Sequence, residues 1–114
     1  MGVKAIETKD EFYKSIRKGV TMVDFKAPWC APCTLQEPII SKLATVYGNR
    51  VSIYTLNVDH FQDIAVRFGI HSIPTLIIFN NGKERERIVG LQTETVLAAA
   101  LDRALENISN KNDK

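Results

Sequence analysis

Only two of the 114 residues are cysteine, at positions 30 and 33. So small a number excludes a fold held together by many disulfides. A chain of this length buries roughly two thirds of the surface it exposes when unfolded, enough for a core without staples. Histidine is also scarce, with His60 and His71 lacking the spacing of a zinc finger. A surplus of one charge is missing: 15 Lys and Arg against 13 Asp and Glu leave +2, mixed in stretches such as KERER. That balance gives no footprint for nucleic acid or an anionic lipid surface. No apolar run approaches the roughly 18 residues of a membrane span. The opening MGVKAIETKDEF meets charge early and lacks a secretory core, and Ile6 stands where a myristoylation signal wants Ser or Thr. There is no repeat, linker or low-complexity segment. What remains is an ordinary globular balance, 45% hydrophobic and 25% charged. The expectation is one domain over residues 1–108 with a short disordered tail at 109–114. It should be a cytoplasmic monomer with neither nucleic-acid nor membrane partners.

The pattern along the chain alternates strand and helix. VKAI at 3–6 reads as a short strand, and TKDE at 8–11 as a capping box that opens a helix to about Lys18, burying Phe12 and Ile16. VTMVDFKA at 20–27 is apolar on both faces, as a central strand is. From Ala31 the residues Leu35, Ile39, Ile40, Leu43, Val46 and Tyr47 recur at helical spacing up to Gly48, with Pro38 expected to kink the axis. RVSIYTLNVD at 50–59 is a strand. Asp59 and Gln62 suggest a second capping pair, for a short helix closing at Gly69. TLIIFN and KERERIVG flank the hairpin signal NNG at 80–82. A last helix is predicted from Thr93 to Ile108, with Val96, Leu97, Ala100, Leu101, Ala104 and Leu105 on its apolar side. The order β-α-β-α-β-α-β-β-α predicts a mixed α/β sheet, parallel first and antiparallel last, with helices on both faces.

The cysteines stand in WCAPC. Spaced at i and i+3 on a helical turn, they come within about 5.5 Å at Cα, close enough for a disulfide. Cys30 falls where a strand gives way to a helix, so free N–H groups and the helix dipole favour its thiolate. Cys33 lies one turn in and is more shielded. Pro32 suits the first turn, where its missing donor is not needed. Cys30 is then the nucleophile on a partner's disulfide and Cys33 the residue that resolves the mixed disulfide. Two other uses stay open on these residues alone. A zinc or iron–sulfur site would need further ligands, such as His60 and His71 or a second chain. A structural disulfide would close so short a loop that it constrains the unfolded chain little.

Four other positions are chemically ambiguous. Asp24 sits among Met22, Val23 and Phe25; it either reaches solvent at the strand end or is buried, with a raised pKa that makes it a base near neutral pH. Pro74, in SIPT, would by default follow a trans bond. Trp29 is either core or an exposed contact, and Gly90 either a turn residue or a point where another backbone comes close.

VDFKAPWCAPC before a helix, SIPT before a strand and VG before the last helix resemble the thioredoxin family, in order and spacing over nearly the whole chain. The resemblance implies a thioredoxin fold, a central five-stranded mixed sheet with four helices. It also implies an enzyme of dithiol–disulfide exchange that binds no cofactor and is re-reduced by NADPH through the flavoprotein thioredoxin reductase. Its other partners would be proteins carrying disulfides. By the same resemblance Asp24 takes the proton of Cys33, and Pro74 is a cis proline opposite the cysteines that turns the Ile73 backbone towards a bound chain. Trp29, Ala31, Ile73, Gly90 and Leu91 form the contact surface, and Pro32 and Ala31 tune the potential. Four residues depart from the common family pattern. Ala31 replaces a glycine, Thr34 a lysine, Lys26 a tryptophan, and Thr55 a lysine that often neighbours the buried Asp. The departures keep two alternatives in view: a specialised or oxidising relative with a dedicated partner, and a scaffold whose cysteines are incidental.

Overall fold

The computed structural model describes residues 2–112. Its strands are β1 (Val3–Ala5), β2 (Val20–Lys26), β3 (Val51–Asn57), β4 (Thr75–Asn80) and β5 (Lys83–Val89). Its helices are α1 (Lys9–Ser15), α2 (Ala31–Tyr47), α3 (Gln62–Arg67) and α4 (Glu94–Asn112), with a 3-10 turn at Gly48–Arg50. The strands form one mixed sheet, as predicted, and lie in the order β1-β3-β2-β4-β5. β3 runs parallel to β1 and β2, while β4 is antiparallel to β2 and β5.

β2 is central, and its alternation builds both layers. Val20 and Met22 pack with Leu76, Ile78, Ile40, Leu43, Leu97 and Leu101 on the side of α2 and α4. Val23 and Phe25 pack with Ile77, Phe79, Phe12 and Ile64 on the side of α1 and α3. Asp24, by its place in the alternation, belongs to the first face.

Local signals explain most boundaries. The Thr8 hydroxyl accepts the Glu11 N–H at 3.0 Å, while the Glu11 carboxylate takes the N–H of Glu7, one residue before the expected partner. α1 ends at Ser15, short of Lys18. Asn81 and Gly82 turn between β4 and β5 with φ of 51° and 87°, the left-handed pair that suits a two-residue hairpin. β5, one of the two edge strands, is guarded by charge: Glu86 pairs with Arg103 of α4 at 2.6 Å. Three expectations need correction. Leu35 and Val46 point outward from α2, and Val96 from α4, because none of them falls on the stripe that meets the sheet. α3 has Phe61 as its N-cap, with no side-chain cap, in place of Asp59. α4 continues past Ile108 to Asn112, so the expected 108/109 boundary falls within the helix; residues 113–114 lie outside the described residues.

Candidate active site

The site forms where β2 hands over to α2. Cys30 is the N-cap residue of α2, and its Sγ accepts the backbone N–H of Cys33 at 3.2 Å. That donor is one of the orphan amides of a helix start, and it supports negative charge on the sulfur when the cysteine is reduced. Cys30 and Cys33 are joined as a disulfide, with Cα atoms 5.3 Å apart. Ala31 and Pro32 occupy the exposed first turn. The asymmetry expected of the pair is present but small: Cys30 keeps 5% of its surface exposed and Cys33 none. Cys30 is therefore a shielded residue with one open edge rather than an exposed one.

Ala27 packs against the disulfide, with half-buried Val58 and Ile73 beside it. The Ile73–Pro74 bond is cis. The Ile73 carbonyl oxygen lies 3.7 Å from Cys30 Sγ. Just past the end of β5 the Gly90 N–H donates to the Pro74 carbonyl at 2.7 Å. Gly90 has φ 91°, and a Cβ there would meet no other atom. The glycine thus serves a left-handed backbone, not a tight contact within the chain. Leu91, 45% exposed, and Trp29, 70% exposed, stand as open apolar side chains on this face. Trp29 is fixed by its indole N–H, which donates to Asp59 at 2.8 Å. Asp59 itself lies two residues before Phe61, the N-cap of α3. A groove of about 590 Å³ runs from Trp29 past Val58 and Ile73 to Val66 and Ile70.

Asp24 is fully buried, and no group among the described residues hydrogen-bonds either carboxylate oxygen. Of the two readings open at this residue, burial is the one observed. It pushes the carboxyl up to about 7; Lys26 pulls it down and Glu37 pushes it further up. Lys26 and Glu37 themselves pair at 2.7 Å. Thr55 is the β3 residue level with Asp24. Lys26, Thr34 and Thr55, three of the four departures from the family pattern, line one cavity of about 430 Å³ with Glu37 and His60. His60 and His71 are exposed. Among the described residues no three His, Cys, Asp or Glu side chains gather as a metal site.

Sequence reasoning missed Gln36. It is fully buried one turn beyond Cys33, and its amide bonds to the backbone of Gln92 at both ends. The signal was available: a Gln interrupts the buried stripe Cys33, Ile40, Leu43, Tyr47 of α2.

The thioredoxin family model matches residues 3–103. The chain belongs to the thioredoxin family. It is 40% identical over 98 residues to a thioredoxin of Staphylococcus haemolyticus, covering 86% of this chain and 94% of that one. To thioredoxin M-type, chloroplastic, of Spinacia oleracea it is 42% identical over 84 residues, 74% of this chain and 46% of the spinach protein. Among solved structures, a thioredoxin of Malassezia sympodialis superposes with a TM-score of 0.82 at 33% identity, covering 92% of this chain and 93% of that one. As a member of the thioredoxin family with a bonded Cys-x-x-Cys pair at a helix start, the protein is a thiol–disulfide oxidoreductase.

Proposed function

We propose that this protein reduces disulfides in cytoplasmic proteins and is returned to its dithiol form by NADPH through a thioredoxin reductase, in the service of electron transport and cell redox homeostasis. The observation that carries the reading is the bonded pair that caps α2, with Cys30 Sγ on the amide of Cys33 and the open edge on the Cys30 side. In the reduced state the Cys30 thiolate attacks one sulfur of a client disulfide. A Cys30–client bond forms and the client's other sulfur leaves as a thiolate. Cys33 then loses its proton to Asp24, whose raised pKa makes it a base near neutrality. The Cys33 thiolate attacks Cys30 Sγ, forming Cys30–Cys33 and releasing the second client thiolate. Two electrons pass to the client, and the two client thiolates take up two protons. Client proteins dock on Trp29, Ala31, Ile73, Gly90 and Leu91, with Pro74 setting the Ile73 carbonyl beside the sulfurs. Pro32 and Ala31 tune the potential from the first turn of α2. The chain itself holds no cofactor in this cycle; the flavin belongs to the reductase.

Insulin reduction driven by NADPH and thioredoxin reductase tests the reading. Wild-type protein should turn over and Cys30→Ser should not. Turnover that survives Cys30→Ser removes the nucleophile assignment. No turnover, together with an oxidising potential against glutathione, would favour a specialised oxidant.

A further inference from the structure

Gln36 is the one fully buried amide side chain among the described residues, and both its ends bond the backbone of a single residue 56 positions away. Its Oε1 accepts the Gln92 N–H at 2.8 Å, and its Nε2 donates to the Gln92 carbonyl at 3.1 Å. A buried amide needs partners wherever it lies. What singles this one out is where those partners are. Gln92 closes the loop that carries Gly90 and Leu91, and the loop's other end is tied by the Gly90 N–H to the Pro74 carbonyl at 2.7 Å. The Gln92 side chain adds a third tie, from its Nε2 to the Val89 carbonyl at 3.1 Å. Leu91 thus projects into solvent between two pinned neighbours. Gln36 is set one turn behind Cys33 on the same helix, so the clasp references the loop directly to the cysteine pair.

We propose that Gln36 is a positioning residue for exchange with protein disulfides, holding the Gly90–Gln92 loop in register with the cysteine helix. The inference rests on the docking face proposed above. A loop ordered before docking loses less conformational freedom when a client binds, so the clasp acts on client affinity and leaves the chemistry of the sulfurs alone. A small disulfide touches only the sulfurs and does not sense it.

The test uses Gln36→Leu, close in volume and without either hydrogen bond, or Gln36→Met should Leu unfold the protein. With dithiothreitol as electron source, KM for insulin should rise about fivefold, as expected when two neutral hydrogen bonds that order a docking loop are lost. The kcat and the rate on 2-hydroxyethyl disulfide should stay within about twofold. In the wild type the Gln92 amide should exchange slowly with deuterium, and about tenfold faster in the variant, while the core amide of Ile77 keeps its protection. A KM that does not move, or a loss shared equally by the small disulfide, overturns the role of Gln36. Fast exchange of Gln92 in the wild type overturns the clasp itself. Wild-type protein that reduces the small disulfide but not insulin overturns the docking face, and this proposal with it.

Discussion

Cys30 and Cys33 differ by a single turn of helix and a few per cent of exposed surface, yet that places them in different chemical positions. Cys30 receives the Cys33 amide and has the open edge; Cys33 is sealed, so a client reaches it only as a disulfide already attached to Cys30. Replacing Cys33 with Ser should therefore leave the first attack intact and stop the second. Non-reducing electrophoresis and mass spectrometry should show stable mixed disulfides on Cys30, and their absence would deny the order of attack. Asp24 is the other residue whose environment dictates its behaviour. Its carboxyl titrates at about 7 in the fold against 3.8 in an unfolded chain, because burial penalises the charge. The folded state therefore holds the proton more tightly, and stability falls as pH rises from about 4 to about 7, then levels off. The loss is on the order of 4 kcal/mol. Asp24→Asn carries no charge to bury, so its urea midpoint should exceed that of the wild type at pH 8 and converge with it near pH 4. Parallel midpoints across that range would mean the carboxyl is not buried. The same variant should slow the release of mixed disulfides at pH 8, where the proposed acceptor, Asp24, is ionised.

At the level of elements, the strand register decides which neighbours can tune Asp24. Thr55 lies level with it on β3, and cross-strand partners share a face of the sheet. A cation introduced there approaches the carboxylate, and an opposite charge within a few ångströms lowers a carboxyl pKa by roughly 1–3 units. Thr55→Lys should therefore move the pH midpoint of mixed-disulfide resolution below 7, read from single-turnover rates between pH 5 and 9. An unmoved midpoint would leave Thr55 without electrostatic influence. Elements governed by local chemistry were legible in the sequence: the Thr8 cap, the Asn81-Gly82 hairpin and the alternation of β2 each depend on residues within a few positions. Where a distant partner intervenes, the reading failed. Asp59 resembles a cap for α3, but the Trp29 indole, 30 residues away, takes its carboxylate. Leu35 and Val46 fit a helical period and still face outward, since periodicity alone does not say which stripe meets the sheet. Gln36 looked like an ordinary polar residue because its partner lies 56 positions on.

Across the whole molecule, the site draws on segments far apart in the chain: Asp24 to Cys33, Val58 to Asp59, Ile73 to Pro74, and Gly90 to Gln92. Spacing brought only the cysteines together; the rest were read through the order of three motifs, in a chain that belongs to the thioredoxin family. What keeps these segments in place is the sheet, clamped between an aliphatic layer under α2 and α4 and a layer under α1 and α3 built around Phe12, Phe25 and Phe79. Neither layer contains the cysteines, which form a separate small apolar cluster with Ala27, Val58 and Ile73. An exchange enzyme needs this separation, because its fold must persist through every cycle of opening the bond. The four-residue loop closed by Cys30 and Cys33 restricts the unfolded chain by only about 2 kcal/mol in a chain-entropy account. Oxidised and reduced protein should therefore both unfold cooperatively, the oxidised form more stable by no more than about that amount. Equilibrium urea unfolding with and without dithiothreitol, followed by far-ultraviolet circular dichroism, measures the difference. A reduced form without a cooperative transition would make the disulfide a staple of the fold, and a bond on which the fold depends could not be opened at every turnover.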